Sequence, residues 1–262
     1  VLFNAYKLRV PSVPYIPEFV TFESIKPLLT NMEKFPLGIR KLTIKTELVN
    51  LKREICFAYM SKNADMLEDT TRNICRMLNA MNSNDMIYFF DPDSVYDEYF
   101  TNESISYISE DISTVLQNLY VYTEDEMKNF NPKDDPYTKD HIYIFIRKLT
   151  KFVEQIDSET SDYFLKAINN SLQLKTITFV LIDTFNNFRE IGGEMWLNPL
   201  KQNINGLWIG NGVNEQSIMD VIKFDIRPSN QGIPDDIGYS IDSGVAKQIK
   251  VIEDIKEEED EI

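Results

Sequence analysis

Two cysteines, Cys56 and Cys75, and one histidine, His141, are all that this chain of 262 residues offers to thiol or imidazole chemistry. Both cysteines sit in apolar surroundings without metal-ligand spacing, so they are expected to be reduced core thiols in an intracellular setting, not a disulfide framework. A lone histidine excludes a multi-histidine metal site. His141 precedes the apolar run IYIFI, which suits a polar residue at a strand entrance. Cations are scarce as well: 27 Lys and Arg against 42 Asp and Glu give a formal charge of -15, which disfavours a general nucleic-acid binder, because such binding rests on cationic contacts to phosphates. No stretch approaches the roughly 18 apolar residues needed to cross a bilayer, and no signal peptide is visible. An initiator Met is missing, which suggests a piece of a longer chain.

What is present is a hydrophobic content of 43%, enough for a substantial core. Strand-like runs occur at 54–60, 86–90, 141–147, 176–182 and 206–210, several of them apolar at consecutive positions, as central strands covered on both faces require. Helical periodicity is expected at 66–82, about 106–130, about 149–172 and 186–200. Strands alternating with helices imply a parallel sheet with right-handed crossovers. At the ends the pattern changes. Pro11, Pro14 and Pro17 mark residues 1–30 as an extended lead-in segment or linker. The stretch IGYSIDSGVAKQIKVI reads as a closing hairpin around Ser243 and Gly244, residues 129–141 as an exposed loop, and 253–262 as an acidic disordered tail. The folded domain is expected over 31–252.

The stretch NADMLEDTTRNICRML, Asn63 to Leu78, follows an apolar strand and opens an amphipathic helix, the place where many α/β proteins hold a phosphate. A phosphate loop of the form G-x-x-x-x-G-K-[ST] needs glycines so that backbone amides wrap the anion, a lysine to neutralise it and a hydroxyl for magnesium. Setting Thr70 at the hydroxyl position puts Asn63 and Glu68 where the glycines belong and Asp69 where the lysine belongs. Only the hydroxyl fits. Read without the phosphate, Asp65 and Glu68 match the aspartate form of a capping box, with acidic side chains favoured by the helix dipole.

FPLGIRKLTI, then the strand and the TTRNICRML helix, then HIYIFIRKLTKFVEQI and NGLWIGNGVNEQ together resemble FtsK/SpoIIIE-type ATPase domains. More narrowly, over about residues 11–252 they resemble the third, C-terminal ATPase domain of the EssC family, the membrane-anchored ATPases of type VIIb secretion in Gram-positive bacteria. The resemblance implies a P-loop NTPase-like α/β fold of RecA/FtsK type, a mostly parallel sheet flanked by helices with a C-terminal hairpin. Active members end an apolar strand in an Asp that holds magnesium; here Arg147 and Lys148 stand there. Asp183, ending the next strand, is expected either to pair with Arg147 or to cap a helix.

The resemblance therefore implies a degenerate nucleotide site at Asn63, Glu68, Asp69, Thr70, Arg147 and Asp183, with no catalytic residue and no metal. No cofactor is expected, with ATP and magnesium held in an altered mode as the alternative. It further implies a recognition and regulatory module of a secretion motor, at the cytoplasmic face of the membrane through its parent protein. The implied partners are small helical WXG-type substrates or their partners and the preceding ATPase domains. Met195, Trp196 and Trp208 are the candidate partner surface, near Leu197, Pro199 and Leu200, with ordinary core packing as the alternative. The rival readings are a nucleotide-binding or weakly active ATPase domain of the same motor, and an FtsK-like DNA translocase module, against which the charge balance argues.

Overall fold

The structure is a computed structural model that describes residues 15–81, 85–202, 204–229 and 232–253. Pro11, Pro14 and residues 254–262 of the expected tail lie outside the described residues. In chain order the strands are β1 (Phe35–Arg40), β2 (Thr46–Val49), β3 (Cys56–Ser61), β4 (Met86–Phe90), β5 (Ile105–Ile108), β6 (Ile142–Arg147), β7 (Ile177–Thr184), β8 (Ile204–Ile209), β9 (Lys223–Phe224), β10 (Ile237–Asp242) and β11 (Val245–Val251). The helices are α1 (Phe22–Ile25), α2 (Ala64–Ala80), α3 (Ile112–Lys128), α4 (Leu149–Glu154), α5 (Ser158–Leu174), α6 (Phe185–Glu190) and α7 (Leu197–Lys201).

All described strands join one sheet, ordered β2-β1-β11-β10-β8-β3-β7-β6-β4-β5, with β9 beside β11. From β8 to β5 every pairing is parallel. The closing hairpin β10–β11 is present and adds antiparallel strands beside β8, and β1 and β2 continue that side. The parallel expectation thus holds for the central sheet. The antiparallel extension on β1 and β2 was not legible, because neither strand is a long apolar run.

β3, apolar through CFAYM and buried at every position, is covered on both faces. On one face α2 lays Leu67, Thr71, Ile74 and Leu78, spaced at helical period, over Phe57, Tyr59, Val180 and Ile182. On the other lie α3, α5 and the short helices α4, α6 and α7, around Phe152, Phe164 and Trp196. In the NGLWIG stretch, Gly206 is required by close approach: a Cβ there would stand 2.2 Å from the carbonyl oxygen of Ala58, its partner across β3–β8.

Several expected elements are divided. The helix expected from about 106 starts only at Ile112, because 105–108 is β5, four residues too short to show a strand period. The segment 149–172 is two helices, since Asp157 stops α4 from continuing by capping α5, its carboxylate accepting from Thr160 N at 2.8 Å. The 186–200 segment breaks at Gly192 and Gly193. The lead-in segment expected over 1–30 belongs to the domain from Val20 onward. Val20 and Ile25 are buried, and Thr21 forms a parallel bridge with Glu253, whose N–H donates to the Val20 carbonyl at 2.8 Å. Glu253 is therefore docked, not the first residue of a free tail.

Candidate functional site

The finishing ends of the parallel strands make the edge where α/β folds bind ligands. β7 lies between β3 and β6, so the turn after β3 and the tips of β6 and β4 converge on one crevice. Ser61, ending β3, sets the turn. Its hydroxyl donates to the Ile209 carbonyl at 2.9 Å and accepts from Asn63 N at 3.0 Å. Asn63 is the N-cap of α2, its side-chain oxygen accepting from Asp65 N at 2.9 Å. The capping box expected from Asp65 and Glu68 is absent, because the cap stands two residues earlier and Glu68 turns away from the helix start.

Glu68 turns to Arg147. The guanidinium, 2% exposed at the tip of β6, meets the Asp91 carboxylate through Nη1 and both Glu68 oxygens through Nη2, at 2.9 and 3.0 Å. Asp93 lies 3.9 Å away, and the Tyr96 ring is 4.8 Å from the guanidinium carbon. Lys148 adds a second cation on Glu68 at 2.6 Å, and Lys151 pairs with Asp93. Asp91, fully buried just past β4, also accepts from Val95 N at 2.8 Å, Tyr96 N at 3.0 Å and the Tyr107 hydroxyl at 2.6 Å.

Burial alone would raise both carboxyls. Bonds from Tyr107 and the Arg147 charge outweigh it at Asp91, and bonds from Lys148 and Tyr96 with the Arg147 charge outweigh it at Glu68, so both are held below their ordinary values. At Arg147 burial acts downward, and the charges of Asp91 and Glu68 reverse it. The sequence reading passed over Asp91, Asp93, Tyr96 and Tyr107; the signal was an aspartate directly after the apolar run MIYFF.

Asp183 does not pair with Arg147. Its carboxylate accepts from Leu149 N at 2.6 Å, Thr184 N at 2.7 Å and the Asn187 side-chain amide at 2.8 Å, which ties the start of α4 to the tip of β7. The cap of α6 is Thr184 instead. Burial pushes the Asp183 carboxyl up despite these donors. The Thr70 hydroxyl donates to the Met66 carbonyl at 2.8 Å, and Asp69 pairs with Arg72. Lys62, in the turn itself, is held by Glu215 at 2.5 Å.

Nucleotide and magnesium do not fit this arrangement. The cleft of about 360 Å³ before the α2 N-terminus is lined by Asp65, Asp69, Asp235, Asp236 and Glu253, carboxylates where phosphates would need donors. At the tip of β6 the Arg147 cation already has its counter-ions. The candidate partner surface also needs correction. Trp196 and Trp208 are fully buried, Trp196 against Phe164 at 5.1 Å and Trp208 against Phe185 at 5.9 Å, and only Met195 is exposed. The Trp208 ring N–H donates to the carbonyls of Gly210 and Asn211, both at 3.1 Å, so this side chain shapes a loop instead of meeting a partner. His141 is buried at the strand entrance, Nε2 2.9 Å from the Thr178 hydroxyl.

No protein-family model matches the sequence, and no curated protein does. Solved structures do. The chain is similar to EssC (ATPases 2 and 3) from Geobacillus thermodenitrificans with a TM-score of 0.71 and 15% identity, covering 92% of this chain and 46% of that one. The cytoplasmic domain of EssC gives 0.68 and 14%, over 92% and 47%. Thermomonospora curvata EccC (ATPases 2 and 3) in complex with a signal sequence peptide gives 0.66 and 12%, over 94% and 45%. This chain thus spans less than half of each of those chains. The parallel core, the strand inserted between β3 and β6 and the closing hairpin together make this the fold of the EssC and EccC type VII secretion ATPase domains.

Proposed function

We propose that this chain is a degenerate ATPase module of a type VII secretion motor, acting in recognition of a secretion substrate or its partner and in regulation of export, and not in ATP hydrolysis. The observation that carries the loss of hydrolysis is the seat of Arg147. A guanidinium neutralised by Asp91 and Glu68 occupies the strand tip where an active site needs a free carboxylate, and it neither ligates magnesium nor accepts a proton from water.

The recognition role draws on the fold likeness, including the EccC structure that holds a signal sequence peptide. The cytoplasmic face of a membrane-anchored parent protein is proposed on the same footing. No helix among the described residues is long and apolar enough to cross a membrane. Preceding ATPase domains of the same motor are the proposed neighbours, and nucleic acid is not a proposed partner of a chain with charge -15.

The test has two arms. In the first, ATP with magnesium is titrated into the protein and phosphate release is followed; no saturable binding and no release above background are expected. Turnover that disappears on mutating Arg147 or Thr70 would overturn the reading. In the second, residues 1–262 are deleted from the full-length motor. Loss of export of at least one substrate is expected, and undiminished export of every substrate rejects the recognition role.

A further inference from the structure

A polar cavity of about 370 Å³ opens at the starting ends of β3 and β8, the edge of the sheet opposite the Arg147 crevice. It is lined by the turn before β3, the end of α7, the first residues of β8 and the turn of the closing hairpin. That turn follows from the sequence: Ser243 and Gly244 both take positive φ, 50° and 79°, as a tight hairpin requires. The Gly244 carbonyl accepts from Ile222 N at 2.8 Å and Lys223 N at 3.0 Å, which fixes Ile222 beside the cavity. Ile222 is 86% exposed, and Ile55 and Ile204 are the other aliphatic residues of the lining.

Two opposite charges share this cavity without pairing. Glu54 Oε2 accepts from the Asn205 side-chain amide at 2.8 Å, and Asn205 Oδ1 accepts from Ser243 N at 3.0 Å, so a hydrogen-bonded chain running to the hairpin turn holds the carboxylate in place. Lys201 Nζ donates to the Gly192 carbonyl at 3.0 Å. Among the described residues neither Glu54 nor Lys201 joins an ion pair, which leaves one carboxylate oxygen and two ammonium hydrogens unspent. Burial, with the Asp242 charge added, pushes the Glu54 carboxyl up against the Asn205 bond, and burial draws the Lys201 ammonium down. Arg53, its guanidinium carbon 5.4 Å from the Tyr137 ring, lines the cavity as a second cation, and Asp220 as a second carboxylate.

We infer that this cavity binds a small zwitterion, an α-amino acid with an aliphatic side chain. Its ammonium meets Glu54, its carboxylate meets Lys201 and Arg53, and its side chain lies against Ile55, Ile204 and Ile222. A ligand carrying both charges satisfies both unspent groups at once. A simple anion would meet Glu54 and Asp220 as like charges, and a simple cation would meet Lys201 and Arg53 in the same way. The chain as a whole carries a charge of -15 and favours cations, but here two bases face two acids, so the cavity is locally neutral. The inference goes beyond the function proposed above and does not depend on it.

The probe is L-leucine, titrated by calorimetry against the 262-residue protein beside two analogues: N-acetyl-leucine, which lacks the ammonium, and leucinamide, which lacks the carboxylate. Saturable binding of leucine with a Kd below about 1 mM is expected, weakened at least about tenfold in each analogue, because each leaves a charged group of the cavity without its partner. Glu54→Gln should reduce the preference over N-acetyl-leucine to about threefold or less, and Lys201→Met the preference over leucinamide likewise. Melting temperatures confirm that the variants fold. No saturation by leucine at about 10 mM, an analogue that binds as tightly as leucine, or preferences that survive both substitutions in folded variants overturns the proposal. The analogue arm uses the unaltered protein, so it decides the outcome even where a substitution unfolds the chain.

Discussion

Arg147 at the tip of β6 and Asp91 just past the tip of β4 form a buried ion pair, 2% and 0% exposed, that closes the crevice between two adjacent parallel strands. The pair is over-determined: Asp91 keeps four further donors, the N–H groups of Asp93, Val95 and Tyr96 and the Tyr107 hydroxyl, and Arg147 keeps Glu68 and the Tyr96 ring.

Breaking it from one side leaves a buried charge without its counter-ion, which costs about 3–5 kcal/mol. Arg147→Met is expected to lower the unfolding free energy by that amount, read from urea denaturation. Arg147→Lys should also destabilise, because an ammonium cannot bridge Asp91 and Glu68 as a planar fork does. Adding Asp91→Asn to Arg147→Met should recover part of the loss. A single variant as stable as the parent would remove the ion pair from the account of this fold.

The same cluster sets a response to acid. Folding holds Asp91 and Glu68 below 3.8 and 4.5, their ordinary values. Their contribution is thus fully present above that range and lost as pH falls through the lower folded-state values. Denaturation midpoints below pH 4.5 are expected to fall less steeply in Arg147→Met than in the parent.

His141 acts in a higher window. Burial lowers its pKa from 6.5 to about 4, so between those values the unfolded chain binds the proton and the folded chain does not. Stability is expected to drop as pH falls from 6.5 to 4, by about 3 kcal/mol at most. His141→Gln, titrated in urea across that window, should show a flatter profile. An unchanged slope would assign the drop to other groups.

The start of α2 distinguishes two caps. Asn63→Ala removes the acceptor of Asp65 N and is expected to cost about 0.5–2 kcal/mol. Asp65→Ala loses only a favourable charge near the helix dipole, about 0.3–1 kcal/mol. Urea midpoints in the reverse order would restore Asp65 as the cap.

The C-terminal margin is tested by truncation. The Ile252 carbonyl accepts from the Asn73 amide at 3.2 Å, and Glu253 bridges to Thr21. Ending the chain at Val251 is expected to melt several degrees below ending it at Glu253, since a change of about 1–2 kcal/mol is large against a marginal total. Equal melting temperatures would show that the strap from Val20 to Glu253 holds nothing.

The sequence by itself determined the central strands, because runs such as CFAYM and IYIFI are apolar at successive positions, short, and rich in aromatic and β-branched residues, which suits a strand covered on both faces. It also determined the amphipathic α2, the closing hairpin and the mismatch between a phosphate loop and Glu68 and Asp69, since these depend on spacing along the chain, but it placed the cap of α2 two residues too late. Only the tertiary structure decided who meets whom. Asp91, 56 residues from Arg147 in the chain, outcompeted Asp183 for it because β4 and β6 are adjacent and Asp183 is already saturated by three donors. Glu68 left the helix cap because a buried guanidinium and Lys148 are stronger partners than one backbone N–H. Trp196 and Trp208 went to the core because α7 and β8 turn them inward.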